Sequence, residues 1–202
     1  MNSIMVPINI DGTERTVDLL SERFLRHRVI FLTGEINSQT VERVIAQIQF
    51  LEARAPEGDI FLYINNSPGG DVHSGFALVD EMNRCECDIV TIGTGICASM
   101  AAFILSCGTK GKRFVTPLSE VMIHQVLGGA SGQASDIERT AAHIVKVKKK
   151  INTILSKMTG QPIEKIELDC DRDYYMDAHE AVSYGLADRI GVPAFDHDIF
   201  WE

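Results

Sequence analysis

The sequence predicts an α/β protein built on a mostly parallel sheet, and three observations carry that expectation. Short apolar runs rich in β-branched and aromatic residues recur: Val29-Ile30-Phe31-Leu32, residues 60–64 and residues 89–92. They have the length and composition of buried strands. Between them lie segments with apolar residues at helical spacing, the clearest being Val41, Val44, Ile45, Ile48 and Leu51. The strand-like and helix-like segments alternate through Gly-, Pro- and Asn-containing turns, the order of parallel βαβ units with right-handed crossovers.

Taken in order, the first twenty residues are mixed, with Asp11-Gly12 placed to turn a small hairpin. After the strand at 29–32, Thr33-Gly34 closes it and Asn37 or Ser38 caps the first clear helix, which Pro56-Glu57-Gly58 ends. The strand at 60–64 leads into the tight turn Ser67-Pro68-Gly69-Gly70 and a helix over 72–82. The strand at 89–92 is expected to stop at Gly93-Thr94-Gly95, with a small-residue helix over 98–105. Further strands are expected at 113–115 and 121–124. A Gly-rich stretch over 127–133 precedes a helix of about six turns over 135–158. Gly160 stops that helix and Pro162 starts the next. So long a helix exceeds what a small sheet covers, so it is expected to project. Asp177-Ala178-His179-Glu180 forms a capping-box pattern for a short helix closed by Gly185.

Bulk properties exclude several functions. With 45% hydrophobic and 23% charged residues in 202, one domain with a sizeable core is expected. The net charge of -9 argues against nucleic acid, whose binders present a basic face. The one basic cluster, Lys146 with Lys148 to Lys150, reads as a solvated helix face. Five cysteines cannot all pair within the chain, which points to a reducing compartment; Cys85 and Cys87 lack companions at zinc-ligand spacing. No charged-then-apolar leader begins the sequence, and no apolar run approaches the roughly 20 residues a bilayer requires. A cytoplasmic location, without nucleic-acid or membrane partners, is expected.

Ser99 falls at a strand-to-helix passage, at the carboxyl end of a strand, where open α/β sheets place their sites. The reading puts its hydroxyl in the first helical turn, whose unpaired N–H groups favour negative charge. A serine there is also an ordinary helix cap, and the sequence lacks the Gly-x-Ser-x-Gly pattern of α/β-hydrolases. In a parallel sheet the Gly69-Gly70 turn shares an edge with Ser99, so the N–H groups of Gly70 and Met100 can face one carbonyl oxygen. His124 closes the next strand at that edge, while His27, His73, His143, His179 and His197 lack this setting. A serine–histidine pair needs a carboxylate, and Asp169, Asp171 and Asp173 are equal candidates on chemistry alone.

Seven motifs occur together in order. They are Ser67-Pro68-Gly69-Gly70, Ala98-Ser99-Met100-Ala101, Lys110-Gly111-Lys112-Arg113-Phe114, Met122-Ile123-His124-Gln125, Leu127-Gly128-Gly129 with Gly132-Gln133, Asp171-Arg172-Asp173, and Glu180-Ala181 with Tyr184-Gly185-Leu186. The set resembles the ClpP family, the proteolytic subunits of the ATP-dependent Clp protease, over residues 18–191. The separations of 25 residues from Ser99 to His124 and 49 from His124 to Asp173 match that family. The resemblance implies a crotonase-like α/β fold as one peptidase domain over 1–202, with an N-terminal axial segment at about 1–17 and a handle region at about 125–159.

For the reaction, the resemblance implies a serine endopeptidase with Ser99, His124 and Asp173 as the triad, and backbone N–H groups of Gly70 and Met100 as oxyanion donors. It implies no metal and no organic cofactor. For assembly, it implies two stacked rings of seven subunits enclosing a chamber, as a homo-oligomer or with a paralogue. Asp171, Arg172 and Gln133 would make contacts between rings, and Tyr63 would help dock a hexameric AAA+ unfoldase such as ClpX, ClpA or ClpC. The substrates are unfolded polypeptides.

Departures from the family pattern carry expectations of their own. Asn65-Asn66-Ser67 has one residue more than usual, so the strand before the glycine turn is expected to bulge. Asp71 follows Gly-Gly in place of a small residue and would act against acidic peptides in the groove. Val126 stands where a proline is usual, and Leu168 replaces an arginine, thinning the charges between rings. The segment over 1–15 differs most, and residues 195–202 have no recognisable role. Two other readings stand beside the protease: a weakly active ring subunit that depends on a paralogue, and a crotonase-type acyl-CoA enzyme, which needs no serine triad.

Overall fold

The computed structural model describes residues 4–10 and 12–193; Asp11, His197 and residues 195–202 lie outside it. The chain opens with an antiparallel hairpin of β1 (Met5–Ile10) and β2 (Thr13–Asp18), as the Asp11-Gly12 turn signal suggests. The Asp18 carboxylate then accepts from the N–H groups of Leu20 and Ser21 and starts α1 (Leu19–His27), a helix the mixed composition concealed.

A seven-stranded sheet follows. β3 (Val29–Thr33), β4 (Ile60–Ser67), β5 (Ile89–Ala98), β6 (Arg113–Val115) and β9 (Arg189–Ile190) lie side by side and parallel. β7 (Glu120–Ile123) also pairs parallel with β5, along the half that β6 leaves free, and β8 (Tyr174–Met176) adds antiparallel to β7. β5 therefore forks: residues 91–93 hold β6 and residues 96–98 hold β7. Gly93 and Gly95 lie inside this long strand and do not end it. At Gly93 a side chain would press on Cys97 Sγ at 3.0 Å, so close packing, not a turn, favours the glycine.

The connecting helices are α2 (Ser38–Arg54), α3 (Val72–Arg84), α4 (Met100–Ser106), α5 (Ala134–Thr159), α6 (Ile163–Asp169) and α7 (Ala178–Tyr184). Asn37 caps α2 and Asp177 caps α7, each in a reciprocal capping box. The carboxyl end of α2 is closed by the buried Arg28 guanidinium, which donates to the carbonyls of Leu51, Ala55, Gly58 and Asp59 at 2.9–3.0 Å. Along β4, Ile60, Leu62 and Ile64 are fully buried against the helices, while Phe61 and Tyr63 face the other way and are half-buried. That second face forms a smaller cluster with Val90, Ile92 and Phe114.

α5 is 26 residues, about 39 Å long at the usual helical rise. Its buried residues, Ile151, Asn152 and Leu155, all lie in the second half; every residue from 134 to 143 is exposed, with His143 stacked on His73 at 6.1 Å between ring centroids. The basic cluster on it is not a freely solvated face. Lys150 lies over the Phe76 ring at 4.4 Å, and Lys148 donates to Gln125.

Candidate active site

The β4–β5 pairing is irregular just before the glycine turn. Asn65 pairs with Thr94 and Ser67 with Cys97, so Gly95 and Ile96 together oppose the single Asn66. A bulge was expected here, but the surplus residue sits on β5, not on β4. The extra step carries the end of β5 forward, and Ser99 N–H donates to the Met122 carbonyl of β7 at 2.8 Å.

Ser99 stands between β5 and α4, outside the first helical turn. Its backbone has φ 56° and ψ -120°, a region costly for a residue with a side chain. Its side chain makes no capping hydrogen bond to α4, so the ordinary helix-cap role is excluded. This sharp turn projects the hydroxyl from the sheet edge, the local geometry of a nucleophile elbow reached without its glycine pattern.

Two glycines allow the adjoining turn to approach. A Cβ at Gly69 would lie 2.7 Å from both the Ala98 carbonyl oxygen and Ser99 Cβ; one at Gly70, where φ is 149°, would lie 2.1 Å from the Ile36 carbonyl oxygen. Ile36 N–H donates to the Gly69 carbonyl and Asp71 N–H to the Ile36 carbonyl. The N–H groups of Gly70 and Met100 have no backbone acceptor among the described residues. Gly70, Ser99, Met100 and His124 line one cavity of ≈ 230 Å³. Its walls are mostly apolar, from Val72, Phe103, Ile123, Val126, Ile151 and Leu155, with Gln125 among them.

The β7–β8 register sets the next two groups opposite each other. Val121 pairs with Met176, Met122 with Tyr175 and Ile123 with Tyr174, so His124 and Asp173 are the next residues along the two strands. His124 Nε2 lies 2.8 Å from Ser99 Oγ, and His124 Nδ1 lies 3.1 Å from Asp173 Oδ1. A carboxylate only accepts, so Nδ1 carries the proton and Nε2 accepts from the Ser99 hydroxyl. Of the three aspartates, Asp173 alone reaches the imidazole. Asp169 accepts from Lys165 and Tyr184, and Asp171 lies 3.9 Å from Arg172. The arrangement can move a proton from the hydroxyl to the imidazole while the carboxylate holds the ring.

A family model described as Clp protease matches residues 11–194. The chain belongs to the Clp protease family. This Clp protease is thus a ClpP-like peptidase with a mixed α/β fold on a mostly parallel sheet.

The remaining predicted residues lie outside the hydrogen-bonded Ser99–His124–Asp173 set. Gln133 is the residue before α5 and makes no side-chain cap. Asp171 and Arg172 are exposed beside the site, and Leu168 is exposed near them. Tyr63 packs on Phe31, ring centroids 5.4 Å apart, in the middle of β4 on the face opposite Leu62 and Ile64, and burial raises its hydroxyl pKa. Asp71 does not face the cavity as a free charge. It caps α3 and accepts from Ser74 N–H and Ser74 Oγ, both at 2.7 Å, and those bonds hold its carboxyl below the ordinary value. Burial pushes the thiols of Cys97 and Cys107 up to about 12, so neither is a ready nucleophile. No group of three His, Cys, Asp or Glu side chains among the described residues could hold a metal. No helix among them is long and apolar enough to cross a membrane. Gln125 stands in one of the seven motifs, but the sequence assigns it no role, because its partners come from segments distant in the chain.

Proposed function

We propose that this chain is a serine endopeptidase of the ATP-dependent Clp type, cleaving unfolded polypeptides inside a double-ring chamber. The observation that supports this reading best is His124 spanning Ser99 and Asp173, with Ser99 in a strained elbow. In the proposed reaction, His124 Nε2 takes the Ser99 proton as Oγ attacks the peptide carbonyl. Asp173 stabilises the imidazolium, and the Gly70 and Met100 N–H groups receive the oxyanion. With seven residues, α4 has little macrodipole, so the local N–H groups matter most. His124 then protonates the leaving amine, and water resolves the acyl-enzyme with His124 as base again. No metal or cofactor takes part, and any ATP is used by the partner.

In the same reading, α5 and the Gly-rich segment before it form the handle that joins two rings of seven, with Gln133, Asp171 and Arg172 at the contact. Exposed Ile137 and Val145 on α5 support this, because they would be covered there. Tyr63 and its aromatic neighbours form the docking surface for a hexameric AAA+ unfoldase, in the cytoplasm. A second reading, a weakly active subunit dependent on a paralogue, draws support from Leu168, which removes one charge beside the Asp171–Arg172 pair. Hydrolysis of a fluorogenic peptide by the purified chain, together with its native mass, tests both. The proposal expects turnover by fourteen-subunit particles of this chain alone, abolished by Ser99→Ala. Turnover only after mixing with a paralogue favours the second reading, and persistent turnover by Ser99→Ala overturns both.

A further inference from the structure

The Asp173 carboxylate is weakly held for the group that must orient an imidazole. Its side chain is 57% exposed, and His124 is its one hydrogen-bond partner among the described residues. The β7–β8 ladder ends at Ile123 and Tyr174, so His124 and Asp173 both lie one residue beyond the last paired position. Backbone pairing therefore aims them at each other without clamping them.

A side-chain clamp closes this open end. Gln125 Nε2 donates to the Asp171 carbonyl at 2.8 Å, and Gln125 Oε1 accepts from Lys148 Nζ at 3.0 Å. The amide orientation is fixed by its partners, because a carbonyl can only accept and an ammonium can only donate. Gln125 follows His124 directly, and Asp171 lies two residues before Asp173. The hydrogen bond thus ties the chain on either side of the imidazole–carboxylate pair. Lys148 belongs to the anchored half of α5, one turn before Ile151 and two before Leu155, which wall the cavity beside Ser99.

We propose that Gln125 is a positioning residue: it clamps the Asp171 carbonyl so that Asp173 stays against His124, and Lys148 orients its amide from α5. The inference rests on the serine-peptidase reading above. The clamp ties the cavity wall to the carboxylate, so a shift of α5 moves both. Glutamate at 125 would keep the lysine but lose the donor and set a carboxylate against a carbonyl.

The test is a double-mutant cycle on the assembled enzyme with a short fluorogenic peptide, alongside thermal midpoint and native mass. Misplacing an orienting group by about 1 Å costs roughly 10²-fold in rate. Gln125→Ala is therefore expected to lower kcat by about ten- to a hundredfold with KM within about twofold, since the lost alignment serves the transition state and not substrate binding. Gln125→Glu is expected to be equally slow. In an Asp173→Ala background, Gln125→Ala is expected to change kcat by less than about twofold, because its effect passes through Asp173. Should Gln125→Ala fail to assemble, Lys148→Met gives the second arm. It is expected to lower kcat with KM unchanged, and Lys148→Arg, which keeps the donor, to recover most of the loss. Parent-like kcat in Gln125→Ala, or equal losses with and without Asp173, would overturn the inference while leaving the peptidase reading intact. An assembled parent without Ser99-dependent turnover would remove that reading and this inference with it.

Discussion

Ser99 carries a backbone strain of order 1–3 kcal/mol, because φ 56° with ψ -120° suits glycine far better than a residue with a Cβ. Ser99→Gly is therefore expected to melt higher than Ser99→Ala, by about 1 kcal/mol of stability, with both inactive. Calorimetry of the two variants checks it, and equal midpoints would mean that the turn is unstrained. The Arg113–Asp188 pair is a structural counterpart. The Arg113 side chain is 4% exposed and its guanidinium donates to both Asp188 oxygens, while Gly111 N–H and Arg113 N–H complete the carboxylate's partners. Burial would raise the Asp188 pKa, but the bonds from Arg113 win and hold it below its ordinary 3.8. A depressed acid contributes stability that is fully present above 3.8 and is lost as pH falls through the lower folded value. Thermal midpoints taken from pH 6 downward (about four units) should fall more gently in Asp188→Asn than in the parent. Arg113→Met, which strands a half-buried carboxylate, should cost roughly 1–3 kcal/mol.

At the scale of elements, strands β3, β4, β6 and β7 were legible because their apolar runs are dense and short. β8 and β9 were not: Tyr-Tyr-Met and Arg-Ile carry no run, and only pairing with β7 and β6 makes them strands. β5 was read too short, since its glycines resemble a strand end until the packing of Gly93 on Cys97 is seen. The same limit applies at the site. Ser99 and His124 could be singled out from strand ends, but the choice of Asp173 among three aspartates needed family resemblance, because the β7–β8 register is a long-range fact. The Gln125 clamp was hidden for that reason too. α5 was readable throughout, from its period and the Gly160 stop. Its uncovered first half makes a prediction in the ring reading. In dilute single subunits, amides over 134–143 should exchange with solvent faster than those over 147–155, measured by hydrogen exchange. Ring assembly should close that difference, and persistent fast exchange in rings would exclude α5 as the handle.

On the scale of the whole molecule, one edge of the sheet collects the groups that the proposed reaction uses. β4 ends in the glycine turn, β5 in Ser99, β7 in His124, and β8 begins after Asp173, while α5 supplies the cavity wall. The fork in β5 makes this possible, because β7 reaches the Ser99 end only where β6 has left the strand. In the proposed reading, the net charge of -9 and the half-covered aromatic face at Tyr63 bear on partners and not on the chemistry. Whether the collected edge works as a nucleophilic centre is decided most directly by reaction of the assembled protein with a fluorophosphonate, followed by peptide mapping of the adduct. The account predicts a single phosphonyl group on Ser99, lost in His124→Ala under the same exposure. An unmodified Ser99 in assembled particles, or a principal adduct on another residue, would contradict it.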